Sequence, residues 1–509
     1  MQIDNESDSA KDATITLFQN LIARATDFIY IALLTRLLVP AELGFVFTFR
    51  TIIVLVVATT CLGLPIALTR SVSMHKAAER FGSLRGTADK GIKYSVISGV
   101  CVALLFFLLG QSILTGISSY FANQFIIQIL SINIFSQILS NNLSAIVMGL
   151  RKFSAVASIT LFSILVKTIF GLIYTSISGK SLDAIFWWCM GDLTSASLFA
   201  IIVAYFIKNM PKNSVSFREL LKISTPLLVS YYINNVYIHL ERLAVLIIAG
   251  LDAVAIYAIA STLCTAFTTV YSSISSGLFP TFSQQYERGE SSAVFRLSFR
   301  VSKLVPLIYF PLVSIGLVGA PYFVNFIYSN LYITAYPIFL ILIMGTMVAS
   351  LSTSLATSAL AIGDSKLVMV ADSIGFSAFL SFLLLSSLSN VPLLIIALAR
   401  GIMIIVTIMI LYLRLSLRGR NILDTASIGR LSLIFIISSV IGLMTIFIIS
   451  DIVGLFVSVL LITLSQILLI RLNQLLSKKD VSLFTNLLPS LIQNKVQYVA
   501  IKLLIGDSE

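Results

Sequence analysis

Long apolar stretches separated by short polar segments make up the chain from residue 15 to residue 472. A bilayer hydrocarbon core about 30 Å thick needs about 20 apolar residues per helical span, and fourteen stretches meet that length. They cover residues 15–38, 44–68, 91–114, 121–148, 155–177, 184–207, 222–250, 253–280, 304–328, 336–362, 367–388, 392–413, 431–450 and 452–472. The pattern predicts an all-α integral membrane protein with about fourteen transmembrane helices.

The polar segments between these stretches differ in charge in an alternating way. Basic residues concentrate in every second segment, as in residues 69–90 and 283–303, whereas the other set of segments contains only Lys180. Lysine and arginine accumulate in the cytoplasmic loops of membrane proteins. We therefore expect a multi-pass protein of the cell (plasma) membrane with both termini in the cytoplasm and Lys180 outside.

Short sequence patterns recur at an offset of about 215 residues. Gly63-Leu64-Pro65 closes the second stretch and Gly277-Leu278-Phe279-Pro280 closes the eighth, while the turns at 149–153 and 363–366 follow the fourth and the tenth. Membrane carriers are often built from two related halves. The offset predicts two homologous six-helix lobes related by a pseudo-twofold axis along the membrane normal, with a cavity between them and two extra C-terminal helices.

The stretches and their connections predict seven segments along the chain. They are a cytoplasmic polar N-terminus (1–14), an N-lobe with spans one to six (15–207), a cytoplasmic inter-lobe linker (208–221), a C-lobe with spans seven to twelve (222–413), a cytoplasmic loop (414–430), spans thirteen and fourteen (431–472) and a cytoplasmic amphipathic tail (473–509). The amphipathic part of the tail is expected to lie on the membrane interface.

Composition excludes several classes of function. Charged residues make up only 11% of the chain, against about 25% in soluble domains, so they cannot coat a water-facing surface. The net charge of +12 is spread over many loops, which argues against a nucleic-acid partner. Two histidines and four separated cysteines offer no metal site, and no nucleotide-binding or catalytic motif is present. We expect no enzyme activity and no cofactor.

Two polar stripes interrupt the apolar spans at corresponding places in the two lobes. Asn20, Arg24 and Asp27 lie along one face of span one, and the same spacing recurs in span seven, which carries Asn235, His239, Glu241 and Arg242. Charges in the hydrocarbon core are costly and usually face a cavity or a partner. Two interpretations stay open. The stripes line a central cavity, or Arg24 pairs with Asp27 and Glu241 pairs with His239 or Arg242 to lock the helices.

Further ionisable residues lie within other spans. Lys167 in span five and Arg50 in span two are candidates for the cavity, whereas Arg36 is expected to anchor span one at the interface. Arg400, Asp192 and Asp372 are weaker candidates, and Trp187 and Trp188 are expected to be interfacial aromatics. The predicted substrate-binding set is therefore Arg24, Asp27, Arg50, Lys167, His239, Glu241 and Arg242. Its excess of cations favours an anionic ligand such as a diphosphate.

Three motifs resemble those of a known family. Arg36 to Gly44, the Gly63-Leu64-Pro65 closure and the turn from Met148 to Phe153 are similar to segments of Wzx-type polysaccharide flippases. These belong to the superfamily that also contains lipid II flippases and multidrug-and-toxin exporters, and the resemblance covers about residues 15–475. It implies two six-helix bundles, a central cavity and alternating access. By position, Arg24, Arg50 and Arg242 match arginines that meet the diphosphate in the lipid II relatives.

The resemblance also implies a substrate and a direction. The expected function is a flippase that moves a polyprenyl-(di)phosphate-linked oligosaccharide from the cytoplasmic to the outer leaflet for polysaccharide or glycan assembly. Its partners would be this substrate, membrane lipids and a coupling ion that the sequence does not identify. A lipid II flippase, a cation-coupled multidrug antiporter of the same fold and a non-transporting scaffold or channel are the alternatives.

Overall fold

The computed structural model describes residues 2–61, 63–211, 213, 225–287, 291–417 and 422–476. Within them lie fourteen α-helices: α1 (Gln2–Leu37), α2 (Pro40–Cys61), α3 (Leu64–Ala77), α4 (Phe81–Leu114), α5 (Gln124–Gly149), α6 (Phe153–Ser178), α7 (Ser181–Ile207), α8 (Thr225–Glu287), α9 (Ser291–Phe323), α10 (Ala335–Ala361), α11 (Ser365–Ser386), α12 (Pro392–Ser416), α13 (Thr425–Ile448) and α14 (Ile452–Leu472). The expected interfacial tail beyond residue 476 and most of the linker at 208–221 lie outside the described residues. The predicted all-α membrane fold class is confirmed.

The chain divides into two compact units, Met1–Ala258 and Ile259–Glu509. The first unit contains α1 to α7 and the beginning of α8, so it extends past the predicted N-lobe at residues 15–207. The second unit contains the rest of α8 and α9 to α14. The lobe boundaries read from the sequence stay a prediction.

The same order of helices occurs in both units. α4, α5, α6 and α7 begin at residues 81, 124, 153 and 181, and α9, α10, α11 and α12 begin at 291, 335, 365 and 392, so the offset is 210 to 212 residues. In the first unit α5 packs against α4 and α7, and in the second α10 packs against α9 and α12. Buried core residues repeat as well, because Leu143 and Val156 lie 212 positions before Leu355 and Val368.

Eleven helical stretches of the described chain are long and apolar enough to cross a membrane. The predicted spans 222–250 and 253–280 both fall in α8, which counts as one stretch although its helical geometry is broken at Gly250 (φ 81°, ψ −174°). α1 and α5 are not among the eleven, and α5 carries polar side chains along its whole length. In α5 such side chains, including Asn133 and Asn142, are buried against neighbouring helices.

Glycine allows α2 to approach the break in α8 within the first unit. A Cβ at Gly44 would lie 1.9 Å from the carbonyl oxygen of Leu251, so a larger residue would force the backbones apart. Beyond the break, Tyr257 donates a 3.1 Å hydrogen bond to Glu241, which precedes it. The chain after Gly250 therefore folds back against the helical turn that carries Glu241.

The glycine motifs at Gly63 and Gly149 lie where α2, α3 and α5 meet. Gly63 adopts a left-handed conformation (φ 68°) between α2 and α3. A Cβ at Gly149 would lie 2.7 Å from Val72, so α5 ends in close contact with α3. Lys76 Nζ donates a 2.6 Å hydrogen bond to the carbonyl of Leu150, which satisfies an acceptor that the end of α5 leaves without an intrahelical partner.

In the second unit, α13 and α14 pack against α9 through buried polar side chains. The Ser439 hydroxyl of α13 donates to Ser314 of α9 at 3.1 Å, and the Gln466 amide of α14 donates to the same serine at 3.0 Å. Interhelical hydrogen bonds of this kind stabilise helix association in lipid, where apolar burial alone gives little driving force.

Candidate functional site

An ion pair between α1 and α2 lies at the centre of the candidate site. Arg50 Nη2 donates a 3.1 Å hydrogen bond to Asp27 Oδ2. Arg50 lies ten residues after the start of α2, about 15 Å along the helix axis, and both side chains are about two-thirds buried. The partner of Asp27 is therefore an arginine from the neighbouring helix rather than Arg24 of its own helix.

Trp188 of α7 holds two cations. The guanidinium carbon of Arg50 and the Nζ of Lys167 each lie 4.5 Å from the centroid of its indole ring, a distance at which the π-electrons attract a positive charge. Tyr30 packs beside the same ring at a centroid distance of 5.8 Å. Trp188 is only 7% exposed, so the expectation that it is an interfacial aromatic is wrong.

A tight crossing of α6 and α7 explains how Lys167 reaches this ring. The Ser163 hydroxyl donates a 2.7 Å hydrogen bond to the carbonyl of Gly191. A Cβ at Gly191 would lie 2.9 Å from the Ser163 carbonyl oxygen. Lys167 follows Ser163 by one helical turn and Trp188 precedes Gly191 by about one turn, so the crossing brings the ammonium group over the indole.

The polar face of α8 contributes a third aromatic-bound cation. The guanidinium carbon of Arg242 lies 5.3 Å from the ring centroid of Phe47 on α2. Glu241 is fully buried and accepts the hydrogen bond from Tyr257. The Nδ1 of His239 is buried and finds no hydrogen-bond partner among the described residues.

Electrostatics join these contacts into one cluster. Arg50, Lys167 and Arg242, from three different helices, all act on the Asp27 carboxylate, and Arg50 and Arg242 both act on His239. Three cations from three helices therefore act on one carboxylate, Asp27. We call Asp27, Arg50, Lys167, Trp188 and Arg242 the cationic cluster.

A narrow recess opens beside the cluster. It is lined by Val46, Phe49, Arg50, Ile53, Gln137, Ile185 and Trp188 and has a volume of about 10 Å³, roughly the room that one water molecule needs. Gln137 connects this recess to Asp192, because its amide donates a 2.9 Å hydrogen bond to Asp192 Oδ2. The recess lies entirely within the first unit.

Glu42 forms a separate polar contact in the first turn of α2. Its carboxylate accepts hydrogen bonds from the Tyr120 hydroxyl (2.9 Å), the Ser181 backbone N–H (2.7 Å) and the Ser181 hydroxyl. A carboxylate at the first turn of α7 also complements the helix dipole. Burial, the hydrogen bond and charge of Glu42 and the charge of Asp252 raise the pKa of Tyr120.

The structure brings together most of the predicted site residues. Asp27, Arg50, Lys167 and Arg242 meet in the cluster, with His239 and Glu241 on the adjoining face of α8, whereas Arg24 lies on an exposed part of α1. The side chains of Asn20 and Asn235 lie outside the described residues. No group of three or more metal-ligating side chains occurs in the part of the chain that the structure describes.

Sequence reasoning missed Trp188 as the residue that holds the two cations. Consecutive helical residues point about 100° apart, so Trp187 and Trp188 cannot both face lipid. Trp187 stacks on Phe170 and Tyr174, with centroid distances of 4.7 and 5.2 Å. Trp188, on the adjoining face of α7, is buried between the helices. The intramembrane Lys167 one helix earlier was the available signal that an aromatic partner was needed.

Comparison with known proteins identifies relatives at two levels. Residues 9–285 match the family described as polysaccharide biosynthesis protein. No curated protein sequence matches the chain.

Solved structures of the same architecture are distant in sequence. An inward closed lipid II flippase MurJ has a TM-score of 0.69 and 14% identity, covering 90% of this chain and 98% of that chain. An inward-facing multidrug resistance MATE transporter of the MOP superfamily has a TM-score of 0.61 and 11% identity, covering 77% and 94%. A MOP superfamily transporter from Pyrococcus furiosus has a TM-score of 0.53 and 13% identity, covering 81% and 95%. At these identities the likeness concerns the fold alone.

Proposed function

Because the chain belongs to the polysaccharide biosynthesis protein family, we propose that it flips an oligosaccharide linked to a polyprenyl phosphate or diphosphate from the cytoplasmic to the outer leaflet. The chain is a multi-pass membrane protein with the fold of MOP superfamily transporters, and its family consists of transporters rather than enzymes. We propose the substrate, the direction and the residues of the site.

The cationic cluster is the observation that carries this proposal. Arg50, Lys167 and Arg242 converge on one carboxylate, Asp27, at a depth where unpaired charge is costly. A guanidinium group binds phosphate oxygens through two parallel hydrogen bonds, and an ammonium group adds a point charge. A lipid-linked phosphate or diphosphate is an anion that these three cations can bind.

Asp27 has a defined role in this proposal. Before substrate binds, its carboxylate neutralises Arg50 at 3.1 Å. A phosphate group replaces it, and Asp27 pairs with Arg50 again when the phosphate leaves. A single unpaired buried charge is strongly destabilising, so this exchange allows the empty carrier to reset.

The remaining predicted residues support the same site. Glu241 is held by Tyr257 and lies next to Arg242 on α8. Arg24 lies one turn before Asp27 on α1 and extends the cationic surface towards the substrate. His239 lies one turn before Arg242 on the same face of α8.

The membrane potential supports the proposed direction. No nucleotide-binding motif occurs in the sequence, so the energy must come from substrate supply, an ion gradient or the potential. One elementary charge crossing 100 mV changes its energy by about 2.3 kcal/mol. An anionic headgroup that leaves a negative interior therefore loses electrical energy, and alternating access of the carrier would release it outside.

The test is flipping by purified protein in liposomes that contain a polyprenyl-diphosphate-linked oligosaccharide. The readout is the fraction of sugar that a membrane-impermeant glycosidase can cleave. Arg50→Gln and Arg242→Gln should each slow flipping at least tenfold, while Lys180→Gln, which removes an exposed cation at the start of α7, should flip at the wild-type rate.

A double variant separates binding from folding. Asp27→Asn/Arg50→Gln removes both charges of the 3.1 Å ion pair, so it should be more stable than Arg50→Gln alone. It should nevertheless flip as slowly as Arg50→Gln. Normal flipping by Arg50→Gln and Arg242→Gln would contradict the proposal.

A further inference from the structure

A neutral amide group faces the recess beside Arg50. Gln137 lies near the middle of α5, and its Nε2 donates a 2.9 Å hydrogen bond to Asp192 Oδ2. An ionised carboxylate only accepts hydrogen bonds, so Asp192 holds the nitrogen of this amide on its own side. Gln137 lines the recess and Asp192 does not. The amide oxygen Oε1 is therefore the Gln137 atom left for the recess, and it accepts no hydrogen bond from the described residues.

The carboxylate that orients this amide is itself held in place. Asp192 is buried in α7, and Asn133, one turn before Gln137 on α5, donates to the same Oδ2 at 3.2 Å. Two side chains of one helix thus fix a single carboxylate on the next helix. The oxygen of Gln137 is presented in one direction before any ligand arrives, which lowers the entropy cost of binding.

The recess offers a donor and an acceptor to one small polar group. Arg50 has five N–H donors, and its Nη2 is the nitrogen that donates to Asp27. The other lining side chains are apolar or aromatic: Val46, Phe49, Ile53, Ile185 and Trp188. A hydroxyl group both accepts and donates, so it matches Arg50 and Gln137 together. The volume of about 10 Å³ admits one such group and is too small for a sugar ring.

We propose that the recess binds one hydroxyl group of the sugar that is linked to the phosphate, with Arg50 as donor and Gln137 Oε1 as acceptor. This inference rests on the proposed function, which places the phosphate on Arg50. A hydroxyl in the recess contacts the same guanidinium group, so it must belong to a part of the substrate next to the phosphate. The polyprenyl chain has no hydroxyl group, and the sugar on the other side of the phosphate does. Gln137 is then a specificity-determining residue, and Asp192 is the residue that positions it.

Trp188 allows binding to be measured without transport. The chain has two tryptophans, so Trp187→Phe leaves Trp188, which lines the recess, as the single fluorophore. Its emission should change when the purified protein is titrated with a short-chain prenyl diphosphate that carries one glucose. The same prenyl diphosphate without sugar is the reference ligand. The glycosylated ligand should bind about tenfold more tightly, as expected for one added hydrogen bond to a charged group.

A matched pair of variants in the Trp187→Phe protein assigns this preference to Gln137. Gln137→Leu removes the acceptor, so the ratio of the two affinities should fall to about one. Gln128→Leu makes the same change nine residues earlier, on the opposite side of α5, and should keep the ratio. In a series of ligands in which each ring hydroxyl is replaced in turn by hydrogen, one should bind as weakly as the sugar-free ligand. That penalty should be absent in Gln137→Leu.

The outcomes separate this inference from the proposed function. Equal binding of the two ligands, or a preference that Gln137→Leu retains, would overturn the inference. An equal loss of affinity for both ligands in Gln137→Leu would show a merely structural role and would also overturn it. In these cases flipping of lipid-linked sugar in liposomes still supports the proposed function. A sugar preference that depends on Gln137, without any flipping in the liposome assay, supports the binding site while the proposed function fails.

Discussion

Individual side chains explain why the candidate site can keep several positive charges inside a membrane. The indole of Trp188 lies 4.5 Å from both Arg50 and Lys167, and Phe47 lies under Arg242. Each such contact contributes about 0.5–2 kcal/mol, and one carboxylate neutralises part of the charge. The aromatic rings hold the cations without neutralising them, so the cations keep their capacity to bind an anion.

Lys167 provides a prediction at this scale. Lys167→Met keeps the length of the side chain but removes the charge, so flipping should fall about 30-fold, which corresponds to a loss of about 2 kcal/mol of binding to a buried charged ligand. Lys167→Arg should retain most of the activity, because a guanidinium group also lies well over an indole. The liposome assay measures both, with Lys180→Met as the matched control. Equal flipping by Lys167→Met and the wild type would exclude a role for this cation.

The polar stripe of span one could be predicted from the sequence, but the residue that pairs with Asp27 could not. Spacing along one helix shows which residues share a face, and on that basis Arg24 was one candidate partner of Asp27, beside the interpretation that both line a cavity. The observed partner, Arg50, comes from the next helix, and the rotation of α1 about its axis decides between the two. That rotation depends on packing, as between Tyr30 and Gly171 of α6, where an added Cβ would lie 2.9 Å from the tyrosine hydroxyl.

At the scale of helices, the glycine in the motif from Arg36 to Gly44 has a clear physical role. Gly44→Ala places a methyl group 1.9 Å from the Leu251 carbonyl oxygen, and the backbone must move to accept it. We expect a loss of about 2–3 kcal/mol in the free energy of unfolding, typical of overpacking, measured by denaturation in detergent. Gly116→Ala, where an added Cβ meets nothing within 4 Å, is the control. Equal stability of the two variants would mean that α2 does not depend on this contact.

The contact of Glu42 with Tyr120 predicts a pH dependence. Burial and the neighbouring carboxylate raise the pKa of Tyr120 above the ordinary tyrosine value, so its contribution to stability is complete below about pH 10 and is lost as pH rises through the higher folded-state value. Glu42→Gln removes the negative charge and should lower the pH at which Tyr120 ionises. The absorbance of tyrosinate, taken as the difference from Tyr120→Phe, measures this, with Glu79→Gln as control. No change in the titration with Glu42→Gln would contradict the assignment.

For the whole molecule, the alternation of basic segments predicts the orientation. Glu79 lies in the exposed turn between α3 and α4, and Lys180 lies at the start of α7. In a cysteine-free background, an impermeant thiol reagent added to intact cells should label Lys180→Cys and leave Glu79→Cys unlabelled until the membrane is opened. The reverse pattern would invert the proposed topology, and with it the direction of transport.

The long apolar helices and the internal repeat of the described chain were accessible from the sequence, because both depend on apolar length and on glycine turns. The helix α3 was not predicted separately, and α8 covers two predicted spans. The offset of 210 to 212 residues between corresponding helices is close to the 215 read from the motifs. The division at Ala258 could not be anticipated, since it falls inside α8. There the break at Gly250 and the hydrogen bond from Tyr257 to Glu241 attach the next helical turns to the first unit.

The polar character of α5 has a consequence for the synthesis of the chain. Its Asn133, Gln137 and Ser140 find their partners Asp192 and Ser195 on α7, which emerges from the ribosome 55 to 59 residues later. At about 5–20 residues per second, α5 waits roughly 3 to 12 seconds with unsatisfied amides that lipid cannot hydrogen-bond. We therefore expect α5 to remain at the insertion machinery until α7 arrives, so that the two helices enter the bilayer together as a pair.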